Sequence, residues 1–156
     1  MNITNAIRIL KSKKIDFEIV EYKDKSDFKS GLEILDYLDI DPKLVYKTIT
    51  LTDSKNYFVA MIDVASEIDL KLLAKAFGVK KLELVELKKL TDVTGYERGG
   101  VSPIGMKKTY KTIIDLEALD YNYIYFSGGR IGLQVKMKPL DLKKVINIDF
   151  KNIKRV

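Results

Sequence analysis

Cysteine and histidine are both absent from this chain of 156 residues. Without cysteine the chain can form neither a disulfide framework nor a zinc ribbon, and this fits a reducing compartment. Without histidine it can form neither a Ser-His-Asp triad nor a histidine-ligated metal site. If the protein is an enzyme, its catalytic groups must be Lys, Asp, Glu, Ser, Thr, Tyr, backbone amides or the substrate itself. We therefore expect activity without a metal and without a cofactor.

Long hydrophobic runs are missing as well. No run of about 18 apolar residues predicts a transmembrane helix. The N-terminal residues Met1–Thr4 lead directly into amphipathic sequence and lack the apolar stretch of a signal peptide. We expect a cytoplasmic protein with no membrane partner. The length and the apolar fraction of 46% suit one compact domain over residues 1–156.

Basic residues outnumber acidic residues by 28 to 22, which gives a formal net charge of +6. This excess favours anionic partners, nucleic acid among them. The pairs Lys80-Lys81 and Lys107-Lys108 could hold an RNA backbone through nonspecific charge contacts. Such pairs are also common on ordinary solvated surfaces, so charge alone leaves both interpretations open.

Strands and helices are interleaved along the chain. The expected helices begin at Thr4, at the capping box Ser30-Gly31-Leu32-Glu33 behind the charged loop Lys23–Lys29, and at Asp69, Leu87 and Asp141. A turn or short helix is expected at Asp41-Pro42. The expected strands are Phe17–Tyr22, Val45–Thr52, Tyr57–Val64, Leu82–Val85, Thr112–Asp115, Tyr123–Ser127 and Ile131–Lys136. Because several strands adjoin through tight loops, we predict an α+β fold with a mixed sheet rather than a doubly wound parallel sheet.

Lys47 is the most unusual residue in a strand pattern. Side chains alternate between the faces of a strand, so Lys47 shares a face with Val45, Ile49 and Leu51. A lysine that faces a core is costly unless it is paired or lines a cavity. The alternative is a lysine near a strand end whose amine extends to solvent.

Two glycine-rich segments are candidate sites. The segment Gly95–Gly105 holds four glycines, a serine and a proline, and such loops can expose amide N–H groups that bind an oxyanion or a phosphate. Its spacing matches neither a Walker motif nor a dinucleotide fingerprint. The second segment, Ser127–Leu133, needs no function beyond that of a hairpin, although Ser127 at a strand end could hydrogen-bond a ligand.

Aromatic residues near these segments have ordinary explanations. Tyr22 ends a strand, and its phenol could reach a pocket. For Tyr121, Tyr123, Tyr125 and Phe126 we expect places in the core and on the sheet surface rather than in a base-stacking platform.

The order of these segments resembles the YbaK family of aminoacyl-tRNA editing proteins, almost from end to end. The segments that carry the resemblance are Thr4-Asn5-Ala6, Val45-Tyr46-Lys47-Thr48, Asp69-Leu70-Lys71, Ala74-Lys75-Ala76, Thr94-Gly95-Tyr96, Gly99-Gly100-Val101-Ser102-Pro103-Ile104-Gly105, Thr112-Ile113-Ile114-Asp115 and Ser127-Gly128-Gly129. The resemblance implies one α+β domain with a mixed, barrel-like sheet flanked by helices. It also implies hydrolysis of the ester between a wrong amino acid and its tRNA.

The resemblance further implies roles for individual residues. Lys47 is the essential lysine of the pocket, Tyr22 and Ser127 line it, and the Gly99–Gly105 loop contacts the aminoacyl group and the terminal ribose. The residues assigned to substrate binding are Tyr22, Thr48, Gly99, Gly100, Val101, Ser102, Pro103, Gly105, Ser127 and Gly128. The best-known family form has Arg and Asp where this chain has Ile131 and Gln134, and this difference leaves the amino-acid preference open.

In the best-known members the substrate is cysteinyl-tRNA(Pro), whose own thiol attacks its ester carbonyl. The absence of His and Cys fits such a reaction, because it needs orientation and oxyanion stabilisation but no protein nucleophile. The expected partners are the aminoacylated end of tRNA and prolyl-tRNA synthetase, and the oligomeric state stays open. The alternatives are a water-dependent deacylase for alanine or another small residue, a noncatalytic tRNA- or synthetase-binding module, and a small-molecule-binding protein.

Overall fold

The computed structural model describes residues 3–22 and 39–156. The expected charged loop Lys23–Lys29 and the helix expected after Ser30 lie outside these residues. The α-helices are α1 (Asn5–Ser12), α2 (Leu70–Phe77) and α3 (Leu90–Thr94). The strands are β1 (Phe17–Glu21), β2 (Tyr46–Thr52), β3 (Tyr57–Asp63), β4 (Glu83–Leu84), β5 (Lys111–Asp115), β6 (Ile124–Ser127), β7 (Leu133–Met137) and β8 (Ile148–Lys151). Short 3-10 helices cover Pro42–Leu44, Leu87–Lys89, Leu116–Asp120 and Pro139–Lys144.

Side-chain caps begin the first two helices where the sequence predicts them. Thr4 accepts a hydrogen bond from the amide of Ile7, and Asp69 accepts bonds from the amides of Lys71 and Leu72. These bonds satisfy amides that a helix leaves without intrahelical partners. Helix α2 ends at Gly78, whose left-handed conformation is favourable for glycine.

Two sheets carry the fold. A five-stranded sheet has the order β4-β2-β3-β5-β8, with antiparallel pairs around β2 and parallel pairs around β5. An antiparallel three-stranded sheet has the order β1-β7-β6. A parallel bridge between Val45 and Tyr125 joins them. The predicted α+β class with a mixed sheet is confirmed, but the strands do not close into a barrel.

The core has two parts, one on each face of the five-stranded sheet. The first lies between the two sheets and includes Tyr46, Met61, Ile114, Phe126 and Val135. The second lies between the other face and α2, where Leu51, Ala60 and Ile113 meet Leu73. Alternating residues of β2 therefore enter different cores, as the period of a strand requires.

Some sequence predictions were incomplete or wrong. The expected helix from Asp141 is a 3-10 helix that begins at Pro139, and β8 was not predicted. Strand β8 has only four residues, in which Ile148 and Phe150 alternate with the exposed Asp149 and Lys151. No helix in residues 3–22 and 39–156 is long and apolar enough to cross a bilayer.

Candidate active site

The bridge between the two sheets determines the position of Lys47. Val45 and Tyr125 are paired in parallel, and Lys47 and Ser127 each follow two residues later on β2 and β6. Because side chains repeat every two residues on a strand, Lys47 and Ser127 point to the same side as the bridged pair. The structure thus turns these two predicted site residues to the same side of their strands, each two residues past the bridge.

The surface around Lys47 is partly apolar. Lys47 is partly buried and is paired with Ile62, which is fully buried. Ile49, on the same face, packs against the core under α2. The expected sharing of an apolar face by Lys47 is confirmed.

Thr48 points the other way. Its pairing partner Met61 belongs to the core between the sheets, and the Thr48 hydroxyl is buried with no hydrogen-bond partner among the described residues. Any contact of Thr48 with a ligand on the Lys47 side would therefore use its backbone.

The two glycine-rich segments contact each other. A Cβ atom at position 100 would lie 2.8 Å from the Cα atom of Arg130 and 3.1 Å from the amide nitrogen of Ile131. Glycine at position 100 therefore allows the Gly99–Gly105 loop to lie directly on the turn formed by residues 128–132. Gly128 is equally close to a neighbour, because a Cβ atom there would lie 2.8 Å from the side chain of Leu133.

Three side chains hold both glycine segments in place. Thr4 donates a hydrogen bond to the carbonyl of Gly128, and Asn5 donates one to the carbonyl of Gly105 at 2.8 Å. Tyr96 donates a hydrogen bond to the carbonyl of Ile104 at 2.5 Å. A Cβ atom on Gly129 would lie 3.1 Å from the Tyr96 ring. We call Thr4, Asn5 and Tyr96 the brace.

The brace was partly visible in the sequence. Thr4, Asn5 and Tyr96 all lie in segments that carry the family resemblance, but no site role was assigned to them. Glycine and tyrosine at positions 95 and 96 follow a short helix, a pattern that by itself predicts a helix end. Their contacts with the glycine segments depend on tertiary structure, because Thr4 and Gly128 are 124 residues apart.

Residues of the Gly99–Gly105 loop differ in accessibility. Ser102 is fully buried, and its hydroxyl accepts a hydrogen bond from the amide of Ile104 at 3.3 Å. Gly100 and Pro103 are buried, Val101 and Gly105 are partly buried, and Gly99 is exposed. The Ser102 side chain therefore shapes the loop, while the exposed backbone around Gly99 is available to a ligand.

Ser127 and Tyr22 lie on opposite sides of the second glycine segment. The Ser127 hydroxyl accepts a hydrogen bond from the amide of Gly129 at 3.1 Å, and it can still donate its own proton. The amide of Tyr22 donates to the carbonyl of Gly132 at 3.0 Å. Gln134 is paired with Ser127 across β6 and β7, and its side-chain oxygen is buried without a partner among the described residues.

The arrangement offers charge and hydrogen-bond donors but no metal ligands. Across residues 3–22 and 39–156, no group of three or more acidic side chains is arranged to hold a metal ion. Lys47 supplies a cation, Ser127 a hydroxyl, and the glycine segments a set of backbone amides. Such a group can orient an ester and stabilise an oxyanion.

A cavity of about 160 Å³ lies beside the Gly99–Gly105 loop. Its lining includes Pro103, Gly105, Lys108 and Tyr110.

Known proteins resemble this chain in sequence and in fold. The aminoacyl-tRNA editing domain family matches residues 27–145. EbsC of Enterococcus faecalis, named as a candidate Cys-tRNA(Pro)/Cys-tRNA(Cys) deacylase, is 38% identical over 151 residues, which cover 96% of this chain and 92% of that protein. A candidate trans-editing enzyme for prolyl-tRNA synthetase has the same fold, with a TM-score of 0.84 and 17% identity over 97% of this chain and 98% of that one. The hypothetical protein APE2540 also shares the fold, with a TM-score of 0.86 and 17% identity over 97% of this chain and 99% of that one.

Proposed function

We propose, since this chain belongs to the aminoacyl-tRNA editing domain family, that it is a free-standing deacylase that removes wrong amino acids from tRNA. The observation that carries this proposal is the parallel bridge that turns Lys47 and Ser127 to the same side, where Ser127 begins a braced glycine segment. The aminoacyl ester binds between Lys47 and the glycine segments. Tyr22, Ser127, Gly128 and the backbone of the Gly99–Gly105 loop hold it there.

In this proposal Lys47 acts through its charge. Its ammonium group lies near the ester and the terminal phosphate and opposes the negative charge that develops on the carbonyl oxygen. Backbone amides of the glycine segments donate hydrogen bonds to the same oxygen. Thr48 contributes through its backbone, because its side chain points into the core.

We propose cysteinyl-tRNA(Pro) as the substrate, following the name of the Enterococcus relative. The substrate thiolate attacks its own ester carbonyl and forms a carbon–sulfur bond. The carbon–oxygen bond to the terminal ribose then breaks, and the ribose oxygen takes up the proton that the thiol released. This route needs no base stronger than those the chain contains, and proximity supplies much of the rate.

A panel of mischarged tRNAs tests the proposal. Purified protein is incubated with cysteinyl-, alanyl- and seryl-tRNA(Pro) and with cysteinyl-tRNA(Cys), and loss of the aminoacyl group is measured against the spontaneous rate. We expect rapid loss of cysteine from tRNA(Pro). Deacylation of alanyl-tRNA at the same rate would favour water as the nucleophile, and no loss above the spontaneous rate on any member would overturn the proposal.

Residues 1–156 act as one editing domain in the cytoplasm, where tRNA is charged. Prolyl-tRNA synthetase is the proposed recruiting partner, in line with the name of one protein of the same fold. A pull-down with purified synthetase, in the presence and absence of tRNA, tests that recruitment.

A further inference from the structure

Two tyrosines lie on the same sheet face as Ser127. In the three-stranded sheet, Ile124, Phe126 and Val135 point into the core. The alternating residues Tyr125 and Ser127 therefore point to the opposite face. Tyr123, just before β6, is 37% exposed.

The tyrosines form an ordered aromatic cluster with a cation. The rings of Tyr123 and Tyr125 meet edge to face, with centroids 5.9 Å apart and planes at 87°. Lys136, paired with Tyr125 on β7, places its amine 3.8 Å from the centre of the Tyr123 ring and 5.8 Å from that of Tyr125. We call Tyr123, Tyr125 and Lys136 the tyrosine platform.

The platform begins next to the proposed active site. Tyr125 forms the bridge to Val45, and Ser127 lies two residues further along the same face, at a spacing of about 7 Å. A tRNA whose ester lies beside Ser127 and Lys47 must lead its unpaired 3′ nucleotides away from that point. The platform extends along β6 from Ser127 towards Tyr123, which gives those nucleotides an aromatic surface.

The chemistry of the platform favours bases over phosphates. Glu18 lies 3.4 Å from the amine of Lys136, so its carboxylate offsets the charge that would attract a phosphate. Aromatic rings stack on any nucleobase, because every base has a π face. The sequence predicts core and sheet-surface places for Tyr121, Tyr123, Tyr125 and Phe126 and no stacking role.

We infer that the tyrosine platform stacks the unpaired 3′-terminal bases of the tRNA while the ester occupies the site beside Lys47. This inference rests on the proposed function and adds to it a binding surface for the nucleotide part of the substrate. Tyr125 serves the nucleotide next to the ester, and Tyr123 serves the one before it.

A fluorescent RNA probe tests the inference without requiring catalysis. The probe is a short RNA that ends in CCA, with 2-aminopurine in place of the terminal adenine, and stacking quenches its emission. We expect quenching by the full-length protein. Tyr123→Leu and Tyr125→Leu should each weaken binding about tenfold and reduce the quenching, whereas the matching Phe variants should behave like the wild type.

Tyr57 is the matched control. It is 37% exposed and meets Tyr110 edge to face at 6.1 Å, but it lies at the start of β3, far along the sheet from Ser127. Tyr57→Leu should bind and quench like the wild type. Wild-type binding by both platform Leu variants, or an equal loss in Tyr57→Leu, would overturn the inference.

Deacylation kinetics separate this inference from the proposed function. With mischarged tRNA, the platform Leu variants should raise KM about tenfold and leave kcat unchanged, because the lost contacts are made equally in the ground and transition states. Normal KM values in these variants would contradict the platform while the proposed function stands. A wild-type protein that binds the probe but deacylates no tRNA would contradict the proposed function and leave the platform supported.

Discussion

At the scale of single residues, the proposed chemistry depends most on Lys47. Lys47→Ala removes this charge and should lower kcat for deacylation roughly 100-fold or more. This corresponds to an activation barrier about 3 kcal/mol higher, as for the loss of a preorganised donor. Lys47→Arg should restore part of the activity, because a guanidinium keeps the charge but is larger. Single-turnover deacylation of cysteinyl-tRNA(Pro) measures both variants.

Stability measurements distinguish a catalytic Lys47 from a structural one. We expect Lys47→Ala to be as stable as the wild type or more stable, because a partly buried cation is costly to keep. Lys111→Ala, an exposed lysine on β5, is the control and should keep full activity. A fully active Lys47→Ala would remove the catalytic assignment, and an unfolded one would favour a structural role.

Within the brace, the Tyr96 hydroxyl binds the Gly99–Gly105 loop at the carbonyl of Ile104. Burial raises its pKa to about 12, so the hydroxyl stays protonated and remains a donor at neutral pH. Tyr96→Phe should destabilise the protein by about 1–3 kcal/mol, because the carbonyl of Ile104 loses its partner. It should also slow deacylation, because the loop that holds the ester becomes less ordered. Urea unfolding and deacylation rates measure the two effects.

Tyr110 offers a matched control for this prediction. Its hydroxyl donates to the carbonyl of Val93 at 2.7 Å, so Tyr110→Phe removes the same kind of bond outside the brace. We expect a similar loss of stability with little change in the deacylation rate. Equal losses of activity in both variants would indicate a general effect of stability rather than positioning of the loop.

At the scale of elements, a buried charge cluster fastens the C-terminal segment to the five-stranded sheet. The amine of Lys154 lies 2.9 Å from Asp63 and 3.9 Å from Asp115, and it also donates a hydrogen bond to Glu117. The amide of the neighbouring Ile153 donates to Asp115 at 3.0 Å. These contacts connect the ends of β3 and β5 with the residues that follow β8.

Lys154→Met should cost about 3–5 kcal/mol of unfolding free energy, because it leaves buried carboxylates without their cation. Arg155→Met is the control: it removes an exposed pair with Glu67, which contributes about 0–1 kcal/mol. Urea unfolding at neutral pH compares the two variants. A cost for Lys154→Met no larger than that for Arg155→Met would show that the cluster does not stabilise the fold.

The pH dependence of the cluster has a definite sign. The hydrogen bond from Lys154, followed by that from Tyr121, lowers the pKa of Glu117 below its ordinary value of 4.5. The stabilisation by Glu117 is therefore complete above about pH 4.5 and is lost as the pH falls through the lower, folded-state pKa. Burial by itself lowers the pKa of Lys154, but hydrogen bonds to Glu117 and Asp63 raise it overall, so its contribution persists through the neutral range. The difference in stability between the wild type and Lys154→Met should shrink on acidification.

At the scale of the whole molecule, the proposed reaction takes its nucleophile from the substrate, which suits a chain without histidine and cysteine. Cysteinyl-tRNA(Pro) should be cleaved much faster than seryl-tRNA(Pro), because serine has nearly the same shape but no thiol. The rate should rise with pH towards the ordinary thiol pKa of about 8.5 or somewhat below it. Rates on both substrates, measured across pH, test this expectation. Equal cleavage of both esters, with no thiol-like pH profile, would contradict attack by the substrate thiol.

The excess of basic residues should make tRNA binding depend on salt. Binding through phosphates releases counterions, so affinity should fall as salt concentration rises. Stacking on the tyrosine platform is less sensitive to salt, because it involves no ion exchange. A salt titration with the wild type and Tyr125→Leu separates the two contributions.

The sequence by itself determined the α+β class, the starts of helices α1 and α2, the glycine segments and the unusual face shared by Lys47. These features follow from local chemistry: strand alternation assigns faces, Thr4 and Asp69 cap amides nearby, and glycine permits close approach. Strand β8 escaped prediction because its four alternating residues are too few for a period to stand out. The 3-10 helix from Pro139 differs from an α-helix in hydrogen bonding rather than in composition.

Tertiary structure alone decided which of these pieces meet. The bridge between Val45 and Tyr125 joins strands that are far apart in sequence, and it turns Lys47 and Ser127 to the same side. The brace and the cluster around Lys154 likewise connect residues that no local pattern relates. Such contacts follow from how buried faces pack together, because burying both sides of β2 requires particular partners on each side. The residue types could thus be read from the sequence, while their proximity came from the packing of the whole chain.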